Sequence, residues 1–440
     1  MRTKKLFQES SGGENFGDKL LAWAKKKEEV IFLNSNKSMG LYQEYKAVIA
    51  IDAFTAIKSD DLYAFEKLNE YQTKTKDWLF GYLSYDLKND IESISSKNED
   101  HLSFPELYFI QPKKIWLLKE NSIEAHYLKM VEDEIEEDFN SILKTEISYP
   151  KSQLLDFSPK WQKKEYVSKA KDILNHIQRG DIYEVNFCQE FFRKDTEIDP
   201  YATFRNLNTI SKAPFSSFLK LENFYALCAS PERFLKKEGN KLISQPIKGT
   251  AKRSKNKIED EQLKFDLKND PKEVSENIMI VDLVRNDLSK TATKSSVKVE
   301  ELCEIYSFEQ VHQMISTITS QVKQNYSVVE ILESLFPMGS MTGAPKLSAM
   351  EIAETYESTK RGLYSGAIGY ITPDNNFDFN VVIRSLLYNS EIKYLSYMVG
   401  SALTSLSDPE QEYEECLVKG RALQYVVNAT EVTKDSTNKA

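Results

Sequence analysis

The stretch from Phe224 to Thr250, FYALCASPERFLKKEGNKLISQPIKGT, decides the fold. It is typical of consecutive β-strands, and the turn around Gly239 predicts that the last two pair as an antiparallel hairpin. If the loop has three residues centred on Asn240, Glu232 faces Lys248. If the loop has two residues, the pairing slips by one and these side chains separate. The stretch therefore predicts antiparallel β-structure and, in one of two registers, an acid beside a lysine.

Lys248 is predicted to follow the end of a strand spanning Lys241 to Ile247. Gly249 lets the backbone turn away, so the lysine would project into the space beyond the strand. It is either a solvated surface ammonium or a buried reactive amine. The rest of the chain has to decide between these two interpretations.

Length and composition indicate an ordinary globular protein with one large two-sheet domain or two domains. The chain has 440 residues, of which 41% are hydrophobic and 28% are charged. The acidic stretch EDEIEED (132–138) and the polar SYPKSQ that follows soon after it predict a boundary near residue 150. We expect an N-terminal subdomain over residues 1–150 and a catalytic domain over residues 151–440.

Several classes of protein are disfavoured. No run of about 18 apolar residues occurs and the first residues lack a signal-peptide core, so we expect a cytoplasmic protein with no membrane partner. The net charge of -9 argues against a nucleic-acid partner. The four cysteines have no CxxC spacing, which favours free thiols.

One pair of glutamates stands at a predicted helix start. Asp270 is a candidate N-cap, Pro271 fits the first helical position, and Glu273 and Glu276 follow three residues apart. The apolar residues that follow predict a helix buried nearly all round. A capping interaction explains Glu273 but not Glu276.

A second pair repeats this design near the end of the chain. Asp408 is the candidate cap, and Glu412, Glu415 and Lys419 line one edge of the apolar stripe of the predicted helix. Two carboxylate pairs would form an all-oxygen cluster of the kind that Mg²⁺ accepts, although acidic pairs at helix starts are common without any metal.

Together, nine motifs resemble those of the chorismate-utilising enzymes over residues 165–425: GDIYEVNFCQ, SPERF, PIKGT, ENIMIVDLVRND, VHQMIST, FPMGSMTGAPKLSAMEI, RGLYSGAIGYI, VVIRSLL and EYEECLVKGRAL. The resemblance implies an α+β fold in which two large antiparallel β-sheets pack together with helices on the outside. It also implies Mg²⁺-dependent chemistry on chorismate.

The resemblance assigns roles by position. Glu276 and Glu415 are the implied principal Mg²⁺ ligands, with Glu273 and Glu412 supporting them directly or through water. Glu232 is the implied general acid for the departing C4 hydroxyl. The implied substrate-binding residues are Arg384, Tyr364, Lys419, Gly249, Thr250, Thr342 and Gly343.

PIKGT resembles the branch of this family that makes 4-amino-4-deoxychorismate, in which the lysine is a nucleophile. The implied mechanism has Lys248 attack C2 while Glu232 assists loss of the C4 hydroxyl, after which ammonia attacks C4 and expels the lysine. The attacking amine must be neutral, whereas a lysine of pKa ~10.4 is neutral in about one part in 2,500 at pH 7. We expect burial or a nearby cation to lower the pKa of Lys248 by about 3 units.

The sequence departs from the family pattern at three positions. Glu184 replaces a usual glutamine, Gln313 replaces a usual histidine, and Ala402 replaces the second glycine of a Gly-x-Gly motif. In anthranilate synthases that histidine is associated with pyruvate elimination, so Gln313 favours a reaction that stops at aminodeoxychorismate. A separate lyase would then complete p-aminobenzoate for folate synthesis.

The ammonia source is expected to be a separate glutamine amidotransferase subunit or free ammonium, because no glutaminase motif is found in the sequence. Two alternatives stay open. The chain could be an anthranilate synthase component I, which Lys248 and Gln313 disfavour, or a non-catalytic Mg²⁺- and anion-binding homologue, which the three departures keep possible.

Overall fold

The computed structural model describes residues 2–13, 15–36, 42–59, 62–147 and 154–427. The predicted boundary near residue 150 lies outside these residues. The strands are β1 Arg2–Gln8, β2 Val30–Asn34, β3 Ala47–Ser59, β4 Leu79–Leu83, β5 Leu107–Leu118, β6 Ser122–Leu128, β7 Ser158–Pro159, β8 Glu184–Arg193, β9 Phe215–Leu221, β10 Phe224–Ser230, β11 Arg233–Glu238, β12 Lys241–Gln245, β13 Ile247–Lys252, β14 Lys298–Ser307, β15 Val311–Gln321, β16 Gly343–Ala344, β17 Ala367–Ile371, β18 Phe377–Asn380, β19 Ser385–Asn389 and β20 Tyr394–Thr404.

The α-helices are α1 Glu9–Gly12, α2 Phe16–Ala24, α3 Ala64–Thr75, α4 Lys88–Ile91, α5 Ile135–Lys144, α6 Lys163–Arg179, α7 Pro200–Ser211, α8 Lys257–Asn269, α9 Pro271–Thr291, α10 Val328–Leu335, α11 Lys346–Tyr356 and α12 Pro409–Tyr425. Short 3-10 turns cover Tyr85–Leu87, Lys129–Glu134 and Gly339–Met341. Several local signals are confirmed. For example, Gly180 ends α6 with a φ of 84°, a left-handed conformation that glycine adopts without strain.

The named strands pair antiparallel and form two limbs that meet at β5. One limb runs β6–β5–β3–β2–β9–β10–β19–β20–β8. The other runs β5–β4–β17–β18–β11–β12–β15, with β13 and β14 also pairing with β15. The predicted α+β class with large antiparallel sheets is confirmed.

Both parts of the chain contribute to the same sheets and the same cores. In the ladder between β4 and β17, Gly81 lies opposite Gly369. Each large apolar cluster mixes residues from before and after residue 150, as Phe109 and Phe379 do in one of them. The predicted division of the chain into residues 1–150 and 151–440 stays a prediction.

The structure selects one of the two hairpin registers and contradicts one local prediction. The hairpin between β11 and β12 has a two-residue loop, since Glu238 lies opposite Lys241, so Glu232 and Lys248 are not cross-strand partners. A register shift follows between Arg233 and Lys236. Helix α9 is buried along one side and not all round, because Ile278 is 41% exposed.

The strand before Lys248 also differs from the prediction. It stops at Gln245, and after Pro246 a new strand, β13, carries Lys248 against β15. Proline has no N–H to continue the ladder, which explains the break. Among the described residues, no helix has the length and apolar composition needed to cross a membrane.

Candidate active site

Lys248 is partly buried and paired with a carboxylate. Its Nζ donates to Oε1 of Glu184, on β8, over 2.8 Å, and the two side chains are 13% and 1% exposed. The sequence identified Glu184 only as a possible charge near the site. The structure shows that it is the direct partner of the lysine.

This pairing reverses the expected shift in the pKa of Lys248. Burial by itself lowers that pKa, but the nearby carboxylates of Glu184, Glu276 and Glu232 outweigh burial and raise it above its ordinary value. The expectation that burial leaves the amine neutral is therefore wrong for this structure. Lys248 is an ammonium group here.

Glu232 lies between β10 and β11 and is buried. Burial raises the pKa of its carboxyl to about 7, although contacts with Ser340 and the Ile247 N–H and the charges of Lys248 and Arg384 act in the opposite direction. Near neutral pH the group is therefore divided between its acid and carboxylate forms. Glu232 also lines a cavity of ≈ 310 Å³ together with Phe234, Pro246, Asp287, Met338 and Ser340.

The first glutamate pair lies beside this lysine. The side chain of Asp270 caps α9 as predicted, accepting from the N–H groups of residues 272 and 273. Burial raises the pKa of Glu276 to about 7, and its Oε1 is buried without a hydrogen-bond partner. Gly249 has a φ of 88°, and a Cβ there would lie 3.1 Å from Oε2 of Glu273. Glycine is therefore required both by the backbone conformation and by the close approach to the helix.

The second pair differs from the first. Glu412 is buried, accepts from the Ser401 hydroxyl, and lies 3.4 Å from the ammonium group of Lys272. The side chain of Glu415 is 44% exposed and lies 2.7 Å from Lys419. Partial burial would raise the pKa of Glu415, but lysine charges, that of Lys419 above all, hold it below its ordinary value.

The predicted metal ligands share one neighbourhood. Glu273 and Glu276 both experience the charge of Lys248, and so does Glu415. Within the residues that the structure describes, however, no group of three carboxylate, imidazole or thiol side chains is arranged to hold a metal ion. The donor set has the hard oxygen chemistry that Mg²⁺ prefers, and Oε1 of Glu276 makes no hydrogen bond to the described residues, although Nζ of Lys272 lies 3.9 Å away.

The predicted glycine-rich segment packs directly on β8. Thr342 is buried, its hydroxyl donates to Gly339 O, and its own carbonyl accepts from Asn186 N–H over 2.8 Å. A Cβ at Gly343 would lie 2.1 Å from Glu184 O, which no side chain could tolerate. This contact fixes the backbone that carries Glu184.

The other predicted substrate-binding residues take different places. Arg384 interacts with the charge of Glu232, and in the described part of the chain its guanidinium has no hydrogen-bond partner. Tyr364 is buried and contacts the Cys188 thiol. Thr250 is exposed and lies opposite Gln313 in the β13–β15 ladder. Their contacts with a substrate stay predictions.

Several buried polar atoms of Glu184, Glu276 and Gln313 have no hydrogen-bond partner among the described residues. Besides Oε1 of Glu276, they include Oε2 of Glu184 and both amide atoms of Gln313, all buried without hydrogen-bond partners. Buried polar groups are normally paired, so these atoms are expected to meet a ligand or water. The predicted departures at 184 and 313 both belong to this set.

At the third departure, the backbone approaches closely despite Ala402. A Cβ on Gly400 would lie 2.7 Å from Oδ1 of Asn186, while Ala402 itself pairs with Asn186 in the β8–β20 ladder. The first glycine of the motif is therefore the one that this approach requires.

Sequence reasoning missed three supporting residues. Lys272 lies within 4 Å of both Glu276 and Glu412, and its i,i+4 spacing to Glu276 could have indicated this. No local signal indicates that Ser340 contacts Glu232 or that Ser401 donates to Glu412, since each pair is distant in sequence or crosses a turn. A cleft of ≈ 470 Å³ around Tyr45, Phe215 and Tyr370 is lined by none of the predicted site residues.

Comparison with known proteins identifies the family of the chain, whereas the roles of the site residues stay predictions. The model of the chorismate binding enzyme family matches residues 18–425. The chain is 40% identical over 269 residues to the probable aminodeoxychorismate synthase, chloroplastic, of Oryza sativa, which is 60% of this chain and 30% of that protein. The chain thus spans about a third of the length of this plant relative.

Bacterial relatives of similar length carry two different names. Aminodeoxychorismate synthase component 1 of Bacillus subtilis is 30% identical over 80% of this chain and 77% of its own length. Anthranilate synthase component 1 of Thermus thermophilus is also 30% identical, over 80% and 77%. The solved structure of anthranilate synthase component I from Streptococcus pneumoniae has the same fold, with a TM-score of 0.76, 23% identity, and coverage of 88% and 93%. The family match over nearly the whole chain leads to one conclusion: this protein belongs to the chorismate binding enzyme family.

Proposed function

We propose that this chain aminates chorismate at C4 to give 4-amino-4-deoxychorismate, through a covalent bond to Lys248. The observation that carries the proposal is a buried lysine beside an acid that titrates near neutral pH: Glu232 and Lys248 each contribute to the other's pKa. A nucleophile and a general acid are the two groups that such a displacement needs.

In the first half of the reaction, Lys248 gives up the proton of its ammonium form, and the neutral amine attacks C2 of chorismate. The ring double bonds shift, and the C4–O bond breaks as Glu232 donates a proton to the leaving hydroxyl. In the second half, ammonia attacks C4 and the C2–N bond breaks, which releases the lysine. Glu232 takes back a proton from the incoming nitrogen, so the enzyme returns to its starting state.

Binding and orientation are assigned to the residues around these two groups. Arg384, whose guanidinium is not engaged by the described residues, would pair with a substrate carboxylate, and Tyr364 would support it. The backbone at Gly249 and Gly343 allows close approach, with Thr250, Thr342 and Lys419 at the edges of the site. The unpaired amide of Gln313 would donate to and accept from the substrate.

Magnesium belongs to the same proposal. Glu276 and Glu415 would be its principal ligands and Glu273 and Glu412 its supporting residues, and the bound ion would neutralise carboxylate charge on the substrate. The unpaired Glu276 oxygen and the all-carboxylate donor set support this assignment.

The ammonia would come from a separate glutamine amidotransferase subunit, and the product would serve p-aminobenzoate and folate synthesis in the cytoplasm. The component 1 names of the bacterial relatives fit a protein that works with a second subunit.

The test is to incubate the purified protein with chorismate, Mg²⁺ and ammonium and to separate the products by chromatography. We expect aminodeoxychorismate and no fluorescent anthranilate. Direct formation of anthranilate would instead assign the chain to the anthranilate synthases, whose names other relatives carry. Unchanged chorismate would identify a non-catalytic homologue.

A further inference from the structure

The partner of Lys248 is a built feature of the fold. Glu184 is 1% exposed, and its Oε1 accepts from Nζ of Lys248 over 2.8 Å. Its carbonyl oxygen lies against Gly343, where any Cβ would lie within 2.1 Å of it. Strand pairing with β16 and β20 holds the same residue from both sides. The carboxylate is therefore presented to the lysine by a rigid backbone.

The carboxylate also keeps spare capacity. Its Oε2 is buried and has no hydrogen-bond partner. A carboxylate that served only to hold a lysine in place would be expected to use both oxygens in hydrogen bonds, because an unpaired buried oxygen is destabilising. One oxygen accepts from the lysine, and the other makes no hydrogen bond to the described residues and can take up a proton.

Other acids face Lys248 at a greater distance. Glu276 and Glu273 belong to α9, Glu232 to the connection between β10 and β11, and Glu415 to α12, and each interacts with the lysine through its charge. Among the described residues, Glu184 is the carboxylate within ion-pair distance of Nζ. A proton leaving the lysine thus has one direct acceptor.

We infer that Glu184 is a positioning residue that stores a proton of Lys248 during turnover: it takes the proton when the amine attacks and returns it when the amine leaves. The inference rests on the proposed function in treating Lys248 as the nucleophile. At the start the pair is ammonium and carboxylate. Proton transfer gives a neutral amine and a carboxylic acid, and the amine then forms the bond to C2 while Glu232 protonates the departing C4 oxygen.

Bonds and protons also balance in the second half of the reaction, in which the lysine is released. When ammonia forms its bond to C4, the C2–N bond breaks and Lys248 leaves as a neutral amine. Glu184 gives its stored proton back to that amine, and the new C4 ammonium gives a proton to Glu232. The net reaction consumes chorismate and ammonia and releases the aminated product and water.

Sharing one proton has a consequence for pH dependence. A lysine that loses its proton to solvent gains about tenfold in neutral amine per pH unit below its pKa. A coupled pair that keeps one proton between its members has a fixed fraction of neutral amine, because moving the proton within the pair involves no solvent proton. Adduct formation by the native pair should not follow this tenfold rise.

The first experiment measures the lysine without any substrate. Formaldehyde with a borane reductant methylates neutral amines, and the peptide containing QPIKGT is quantified by mass spectrometry across about pH 6 to pH 8. In Glu184→Gln, the Glu184 charge no longer raises the pKa of Lys248, so that burial lowers this pKa further. We expect labelling at neutral pH to rise by about tenfold or more over the native protein.

The matched control is Glu190→Gln. Glu190 is on the same strand, is 2% exposed, and has an unpaired Oε2, but it accepts from Tyr394 and not from Lys248. Its variant should label Lys248 as the native protein does. Equal labelling in Glu184→Gln and the native protein would overturn the inference, and this result would not depend on which reaction the enzyme catalyses.

The second experiment measures the single-turnover rate of adduct formation with chorismate, Mg²⁺ and no ammonia. At each pH, the Glu184→Gln rate is divided by the native rate. Because Glu232 titrates in both proteins, its effect cancels in this ratio. We expect this ratio to rise by up to about tenfold per pH unit. A ratio that stays flat with pH would show that Glu184 stores no proton. An absence of adduct in every variant, with labelling shifted as expected, would contradict the proposed function alone.

Discussion

Two partly buried lysines, Lys248 and Lys346, show how differently the same side chain can be used. Their side chains are 13% and 12% exposed, and each is paired with one carboxylate. Lys346 donates to Asp287 and to the carbonyls of Leu335 and Pro337, so all three of its donors are used. Within the part of the chain that the structure describes, Lys248 donates to Glu184 alone.

The electrostatic settings of the two lysines are also opposite. Burial lowers the pKa of Lys346 despite the charge of Asp287, whereas several carboxylates raise the pKa of Lys248. Lys346 joins the Asp287 side chain to the backbone at Leu335 and Pro337 and has no donor left for another group. Lys248 keeps spare donors and contacts Glu184, whose Oε2 has no hydrogen-bond partner among the described residues, so this pair can still bind a ligand.

The largest expected effect is on the free energy of unfolding and concerns Lys346. Removing both charges by Lys346→Met with Asp287→Asn leaves the Leu335 and Pro337 carbonyls without their donor, at about 1–3 kcal/mol each. We expect the free energy of unfolding to fall by about 3 kcal/mol in urea titrations.

The matched double variant is Lys248→Met with Glu184→Gln, which removes one ion pair and strands no backbone carbonyl. Its free energy of unfolding should stay within about 1 kcal/mol of the native value. Equal losses in the two double variants would remove the distinction between the lysines.

Catalysis should depend more on Lys248 than on Lys346, which is the reverse of the order expected for stability. Lys248→Ala deletes the nucleophile, and a fall of ~100-fold in ammonia-dependent turnover corresponds to about 2.7 kcal/mol of transition-state stabilisation. Lys248→Arg keeps the charge but cannot attack, so it should lose as much while chorismate binding is preserved. Near-native turnover in the arginine variant would refute the nucleophile role.

The acids around Lys248 should control the response to magnesium. Glu276→Gln removes the unpaired buried carboxylate and should raise the Mg²⁺ concentration at half-maximal activity by about tenfold or more, about 1.4 kcal/mol. Glu415→Gln should act in the same direction but less strongly, since Glu415 is more exposed and already paired with Lys419. Both variants should keep the native fold by circular dichroism. Unchanged Mg²⁺ dependence in both would contradict their assignment as ligands.

The pH dependence of turnover should report Glu232. Its pKa is raised to about 7, and the protonated form is the one that donates to the C4 oxygen. Turnover should therefore fall towards a limit of tenfold per pH unit as pH rises above about 7. For the same reason the ionised form weakens the fold, so the stability due to protonated Glu232 is present at low pH and is lost as pH rises through about 7. A pH profile of turnover without an alkaline limb would exclude Glu232 as the acid.

The smallest effect is expected at Gln313. Restoring histidine by Gln313→His tests whether this residue alone prevents pyruvate loss, and we expect little or no anthranilate by fluorescence, because Lys248 still shapes the site. Substantial anthranilate from this single variant would show that the product is decided at residue 313 and not at the lysine.

Local features of the site could be predicted because short-range chemistry determines them. Asp270 and Asp408 cap their helices as predicted, each accepting from two backbone N–H groups. The helices that carry the glutamate pairs therefore begin where the sequence indicates. Their different environments could not be predicted, because burial depends on which strand each helix crosses.

Strand register and contacts between residues distant in sequence could not be predicted from local chemistry. The register of the β11–β12 hairpin depends on a two-residue loop and on a shift near Arg233, neither of which alternation of residue types reveals. The expected neighbours Glu232 and Lys248 still interact, because the break at Pro246 redirects the chain. The Glu184–Lys248 pair spans 64 residues and depends on the packing of β8 against the rest of the site.

The pairing of β4 with a strand from late in the chain also affects how the protein forms during synthesis. β4 ends at Leu83 and its partner β17 begins at Ala367, roughly 280 residues later. A ribosome adding about 5–20 residues per second takes roughly 15 to 60 s to make that interval. Until then one edge of β4 has no partner, so the nascent chain has to remain soluble with an incomplete sheet. The chain is thus expected to complete its fold after most of it has been translated, and its yield should depend on how long chaperones protect that edge.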